Sequence, residues 1–207
     1  MKGAQGNDWT GNGKSIYITL GASNHTDKDR EARDFYATDP IAIDRLVSCP
    51  SVVLPKKIWE CACGEGHLSK RLEALGYDVF SSDIEDRGYG FVLDFLKAEM
   101  YAADCSCILT NPPYKYATEF VLHALELLPD NGLCVMFLKT TFLEGARRHK
   151  ELYSKCPPEY VLQFSKRVLC AKNADFEGML KGGGSAVAYC WMVWRKGFHG
   201  ETTIKWI

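Results

Sequence analysis

The sequence predicts an α/β fold: a mostly parallel, seven-stranded sheet with helices on both faces. Three observations carry this. From residue 35 onward, short apolar runs of strand character alternate with stretches of helical period. Leu133–Lys139 is apolar almost throughout, as a strand buried on both faces should be. Tyr160–Phe164 and Val187–Arg195 have no helix between them, so one of the two is expected to run antiparallel, at the sheet edge.

The elements follow in order. Residues 1–34 are polar, with a strand-like patch at Ser15–Leu20 and a charged stretch from Asp27 to Asp34; they read as a partly flexible arm ahead of a single domain over 35–207. Gly13-Lys14-Ser15 is not a phosphate loop, because Asp8 stands where that motif needs glycine and no strand precedes it. Asp39-Pro40 starts a helix, with Asp39 as cap and Ile41, Ile43, Leu46 and Val47 as its apolar side. Lys57–Cys61 is the first strand. Gly64-Glu65-Gly66 turns it into a helix with Leu68, Leu72 and Leu75 on one face, ended by Gly76. Val79–Ser82, Phe91–Leu93 and Cys105–Thr110 are the next strands, the last stopped by Pro112-Pro113. Ala117–Leu128 is an amphipathic helix, Pro129–Gly132 a turn, and Glu144–Ser154 a further helix. The long polar connection Ser165–Ser185 ends in Gly182-Gly183-Gly184.

The 207 residues suffice for one domain with a large core. Lys and Arg number 25 against 26 Asp and Glu, a net charge of -1, which excludes a polybasic tail as the basis of any nucleic-acid binding. The sum hides an asymmetry. Residues 1–146 carry 14 basic and 21 acidic side chains, a net of -7, whereas residues 147–207 carry 11 and 5, a net of +6. The C-terminal third could attract a polyanion that the rest would repel. No apolar run approaches the length of a membrane span, and no apolar signal region follows the N-terminus. A cytoplasmic protein without membrane contact is expected. The nine cysteines are then reduced thiols, mostly buried. Cys61/Cys63 and Cys105/Cys107 lack Cys-x-x-Cys spacing, so no metal is expected.

Two segments carry chemistry. Ile58–Leu68 places a glycine turn between strand and helix, where a ligand can approach the backbone closely. Asp83 ends the next strand, 23 residues after Glu60, a spacing at which a carboxylate reaches ribose hydroxyls. The turn carries Glu60 and Glu65, which a pyrophosphate would not tolerate. A nucleoside ligand with a cationic amine and no phosphate fits better, and S-adenosylmethionine is such a ligand. The second segment is Asn111-Pro112-Pro113-Tyr114, after an apolar strand. The Asn111 side-chain carbonyl and the Pro112 backbone carbonyl offer two acceptors at fixed separation, suited to an NH2 group. Tyr114 adds an aromatic face.

In order and type, Glu60–Leu68, Asp83 and Asn111–Tyr114 resemble the class I S-adenosylmethionine-dependent methyltransferases. With the upstream Asp34–Pro40 segment, the arrangement is similar to that of the DNA adenine-N6 methyltransferases of gamma type. The closing Ser185–Trp194 stretch is similar to the last strand of small phage- and prophage-borne members. The resemblance implies a Rossmann-like methyltransferase fold and a bacterial or phage-encoded enzyme. It implies that Glu60 binds the methionine amine and that Ala62, Gly64 and Gly66 shape the turn. Asp83 takes the ribose hydroxyls, Ile84 packs beside the cofactor adenine, and Asp94-Phe95 reads that ring's amine and face. Tyr36 and Thr38 flank the methionine. Asn111, Pro112, Pro113 and Tyr114 hold the target amine and base, which is flipped out of a DNA duplex.

The sequence departs from the family in two places. No aromatic stands where the family packs the second face of the flipped base; Val168, or Phe176 if the loop folds back, is expected there. A separate target-recognition domain is also not expected in these 207 residues. Lys166, Arg167 and Lys172 are expected to track phosphates, with Arg147–Lys150 and Lys181 as further candidates. A short recognition site, relaxed specificity or a second subunit is expected, in a monomer or homodimer. RNA bases and protein glutamine are the alternative substrates, since both present a planar NH2.

Overall fold

A computed structural model describes residues 36–99, 105–172, 174–181 and 187–207. The expected arm and its Ser15–Leu20 patch lie outside them, as do Asn173 and Gly182–Gly184. In chain order the strands are β1 (Tyr36–Thr38), β2 (Lys57–Glu60), β3 (Asp78–Asp83), β4 (Phe91–Val92), β5 (Cys107–Thr110), β6 (Leu133–Lys139), β7 (Tyr160–Gln163), β8 (Cys170–Lys172), β9 (Tyr189–Arg195) and β10 (Thr203–Trp206). The helices are α1 (Ile41–Val47), α2 (His67–Ala74), α3 (Ala117–Leu127), α4 (Ala146–Arg148), which runs on into a π turn at His149–Tyr153, and α5 (Phe176–Lys181). Asp39 does cap α1, since its Oδ1 accepts the Ile41 N–H at 3.0 Å.

The main sheet has the order β10-β7-β9-β6-β5-β2-β3-β4, and β9 alone runs against the rest. The α/β class read from the sequence is therefore observed, with two corrections. The sheet has eight strands, because Thr203–Trp206 adds β10 beside β7. The antiparallel strand is not at the edge: β9 lies between β6 and β7. Its composition explains this. Tyr189–Trp194 are all buried, and a strand apolar on both faces is stable only inside a sheet.

Strand alternation divides the core in two. Ile58, Leu109, Val135, Phe137, Trp191 and Val193 face one layer, with α1 and α2. Trp59, Ile108, Met136, Met192 and Trp194 face the other, with Phe120, Val121 and Ala124 of α3. Full burial of such side chains contributes roughly 1.5–3 kcal/mol each. Trp191 also ties sheet to helix, its Nε1 donating to the Ala42 carbonyl at 2.9 Å.

Beside the main sheet, β1 and β8 form a two-stranded antiparallel ribbon in which Thr38 faces Cys170. Asp39 N–H extends it, donating to the Leu169 carbonyl at 3.0 Å. Cys170 and Val168 bury into the layer that holds α1 and α2, so the ribbon is anchored from beneath.

Candidate active site

The glycine turn after β2 has a backbone that most residues cannot adopt. Gly64 and Gly66 have φ of +55° and +79°. A Cβ on Gly66 would sit 2.3 Å from the Tyr89 ring. Asp83, at the end of β3, holds the turn: its Oδ2 accepts the Gly64 N–H at 2.8 Å and its Oδ1 the Glu85 N–H at 3.0 Å. Each carboxylate oxygen keeps a second lone-pair direction. Ile84 follows and is exposed.

Glu60 is almost fully buried beneath α2, and its carboxyl accepts the Ser69 hydroxyl. Ser69 Oγ is also 2.6 Å from Ser81 Oγ. Burial pushes the Glu60 pKa up to about 8; the charges of Asp83 and Glu73 act the same way, and the Ser69 hydrogen bonds oppose them. Near neutral pH Glu60 is therefore mostly protonated. The expectation for Phe95 is corrected. Its ring turns into the core, 5.2 Å from Trp59 and 4.8 Å from Phe120, and offers no open face to a ligand. Asp94 accepts the Leu96 N–H at 3.2 Å and pairs with Lys97 at 3.0 Å.

At the carboxyl end of β5 stands Asn111. Its Nδ2 donates to the Tyr36 carbonyl at 3.2 Å and to Thr38 Oγ1 at 2.9 Å, with Cys170 Sγ at 3.5 Å. Its Oδ1 is buried and has no hydrogen-bond partner among the described residues. Pro112 is buried and Pro113 exposed. Tyr114 stacks on Tyr189 with centroids 6.1 Å apart, and Tyr189 stacks on Phe137 at 4.9 Å. Lys139 Nζ lies 4.9 Å from the Tyr114 centroid, and the Tyr114 hydroxyl is 3.5 Å from Cys170 Sγ. Burial raises the Tyr114 and Cys170 pKa values, so both groups stay neutral.

Thr38, expected beside the methionine of a cofactor, is buried with its hydroxyl committed to Asn111. Tyr36 remains partly exposed. Next to Tyr189 opens a cavity of ≈ 220 Å³ that Gln163, Lys166, Arg167 and Val168 also line. Of the two residues expected over the second face of a base, Val168 is on this cavity. Phe176 instead packs edge-on to His67 at 5.8 Å, over the start of α2. Three of the basic candidates are engaged within the fold. Arg147 pairs with Glu151 at 2.7 Å and Glu119 at 3.5 Å, and Arg148 donates to the carbonyls of Phe142 and Glu144. Lys181 pairs with Glu177 at 3.7 Å.

Sequence reasoning missed Lys139, Cys170, Tyr189 and Tyr89. Lys139 had a signal, a lone charge at the carboxyl end of an apolar strand, where open α/β sheets bind ligands. The other three become site residues only through strand pairing and loop packing. All nine cysteines are free; eight are buried and Cys156 is half-buried. Among the described residues no cluster of three His, Cys, Asp or Glu could hold a metal ion, and no helix is long and apolar enough to cross a membrane.

No protein-family model and no curated protein matches the sequence. Solved structures do match in fold. One is a type I restriction-modification methyltransferase subunit from Streptococcus thermophilus, with 14% identity, a TM-score of 0.58, and coverage of 84% of this chain and 47% of that one. A modification subunit of a provisionally assigned type I restriction enzyme from Vibrio vulnificus has 15% identity and a TM-score of 0.56, over 94% and 50% of the two chains. A provisionally assigned RNA methyltransferase from Pyrococcus horikoshii has 14% identity and a TM-score of 0.57, over 91% and 98%. The chain spans about half the length of the two type I subunits. At these identities the likeness establishes a shared fold, the methyltransferase fold.

Proposed function

We propose that the protein is an S-adenosylmethionine-dependent methyltransferase acting on the exocyclic N6 amine of adenine in DNA. One observation carries the reading: at the carboxyl end of β5 Asn111 presents a buried carbonyl oxygen with no hydrogen-bond partner among the described residues. An NH2 group donating to Oδ1 would satisfy it, and the Pro112 carbonyl is the second acceptor. The residues of the glycine turn fit the cofactor. Gly64 brings no side chain to the turn, Asp83 retains free lone pairs, and exposed Ile84 gives an apolar surface beside it. When bound, S-adenosylmethionine supplies an electrophilic sulfonium methyl group.

The protein's own part is positioning and electrostatics. Asn111 Oδ1 and the Pro112 carbonyl hold the target amine and draw its lone pair out of conjugation with the ring. These hydrogen bonds strengthen as positive charge develops on nitrogen. Tyr114, backed by Tyr189, flanks the base, which reaches the site by leaving the duplex stack. The type I subunits among the fold neighbours support DNA as the substrate. An RNA base is the second reading, supported by the neighbour of nearly equal length from Pyrococcus horikoshii.

The test is incubation with methyl-labelled S-adenosylmethionine and, separately, duplex DNA, single-stranded DNA, RNA and cell protein, followed by identification of the labelled product. N6-methyladenine from DNA is expected; label on cytosine or glutamine overturns the reading. Asn111→Ala should lower turnover about 100-fold or more, by analogy with removing one preorganised group from an active site. Cofactor binding, followed by calorimetry, should be largely retained. Near-normal turnover in this variant would sink the assignment.

A further inference from the structure

We propose that Thr38 is a positioning residue: with the Tyr36 carbonyl it locks the Asn111 amide so that the oxygen, not the NH2, faces the substrate. The inference rests on the reading above and adds a residue to its machinery. The two Nδ2 hydrogens have two short acceptors, Thr38 Oγ1 at 2.9 Å and the Tyr36 carbonyl at 3.2 Å. A carbonyl can only accept. A flipped amide would set Oδ1 against the Tyr36 carbonyl oxygen, which cannot donate, and leave a donor where the acceptor now is. Such a donor would repel an incoming amine.

The ribbon is what makes the lock possible. Thr38 pairs in register with Cys170, and Asn111 reaches both strands, touching Tyr36 and Thr38 on β1 and Cys170 on β8. Thr38 is 2% exposed, so its hydroxyl is out of reach of solvent. The lock therefore lies in a strand pair outside the main sheet, joined to the asparagine only by side-chain bonds.

The test uses Thr38→Val, which removes the hydroxyl and keeps the β-branched shape, and Thr38→Ser, which keeps the hydroxyl. The first readout needs no substrate. The side-chain NH2 signals of Asn111, assigned by their loss in Asn111→Asp, are followed by NMR hydrogen exchange. Thr38→Val should speed exchange about 10-fold, as expected for losing one buried hydrogen bond, and Thr38→Ser should restore protection. The second readout is kinetic: kcat should fall about 10-fold in Thr38→Val and return in Thr38→Ser, while KM for DNA and affinity for S-adenosylmethionine hold. Unchanged exchange in Thr38→Val overturns the lock, as does equal loss in the two variants. Loss confined to cofactor affinity would place Thr38 at the cofactor instead. If no substrate is methylated by the parent protein and Thr38→Val alone frees the amide, the functional reading falls and the lock stands.

Discussion

Glu60 ends β2 with a carboxyl that its surroundings keep neutral. Desolvation by burial raises its pKa to about 8 from an ordinary value of 4.5, with Asp83 and Glu73 adding to the rise. The folded state thus holds a proton that the unfolded chain gives up. The resulting stability is fully present below pH 4.5 and is lost as pH rises towards 8. Within that window the slope approaches about 1.4 kcal/mol per pH unit. Glu60→Gln mimics the protonated form and does not titrate. The melting temperature of the parent protein should fall relative to Glu60→Gln between pH 5 and pH 8, and the gap should widen steadily. Parallel curves for the two proteins would refute a buried, neutral Glu60. The same protonation means that a cationic amine arriving near Glu60 would favour release of that proton.

At the scale of elements, the strand–turn–helix unit of β2 and α2 is the part most tightly specified. Gly66 has φ +79°, and its missing side chain is where the Tyr89 ring packs. Gly66→Ala would incur both backbone strain and a clash, a cost on the order of 1–3 kcal/mol in urea unfolding. Tyr89→Ala should recover the clash and leave the strain, so the two substitutions should show coupling in a double-mutant cycle. Strict additivity would place Tyr89 elsewhere. This unit was legible in the sequence because local chemistry defines it: glycines at the turn, Leu68 and Leu72 on the helix face, and an acid at the next strand end. The strand order was not. That β9 lies inside the sheet depends on its pairing with both β6 and β7, and β10, which adds to the far side of β7, is a largely exposed strand whose pattern is weak. The β1–β8 ribbon was equally hidden, since residues more than a hundred positions apart make it. With it went the role of Thr38, whose partner is chosen by fold and not by spacing. Phe95 looked like a ligand contact by position, but its ring serves the core between β2 and α3.

Across the whole molecule, the asymmetry of charge acquires a location. The net of +6 over residues 147–207 is not spread evenly in function, because Arg147 and Arg148 are tied to Glu151, Glu119 and backbone carbonyls. Lys166 and Arg167, by contrast, line the cavity beside Tyr189 and have no ion-pair partner among the described residues. They follow β7, so they sit at the same carboxyl end of the sheet as Asn111, where a ligand enters an open α/β fold. A polyanion bound there would release about one counterion per phosphate neutralised, and the logarithm of its affinity would fall linearly with that of salt concentration. Replacing both Lys166 and Arg167 with alanine should weaken duplex DNA binding alike on every sequence and reduce that salt slope by about 2. Arg147→Ala should leave the slope unchanged, because its guanidinium is already neutralised within the fold. Fluorescence anisotropy across a salt series decides the matter: an unchanged slope in the double variant, or an equal loss in Arg147→Ala, would move the phosphate path to another face.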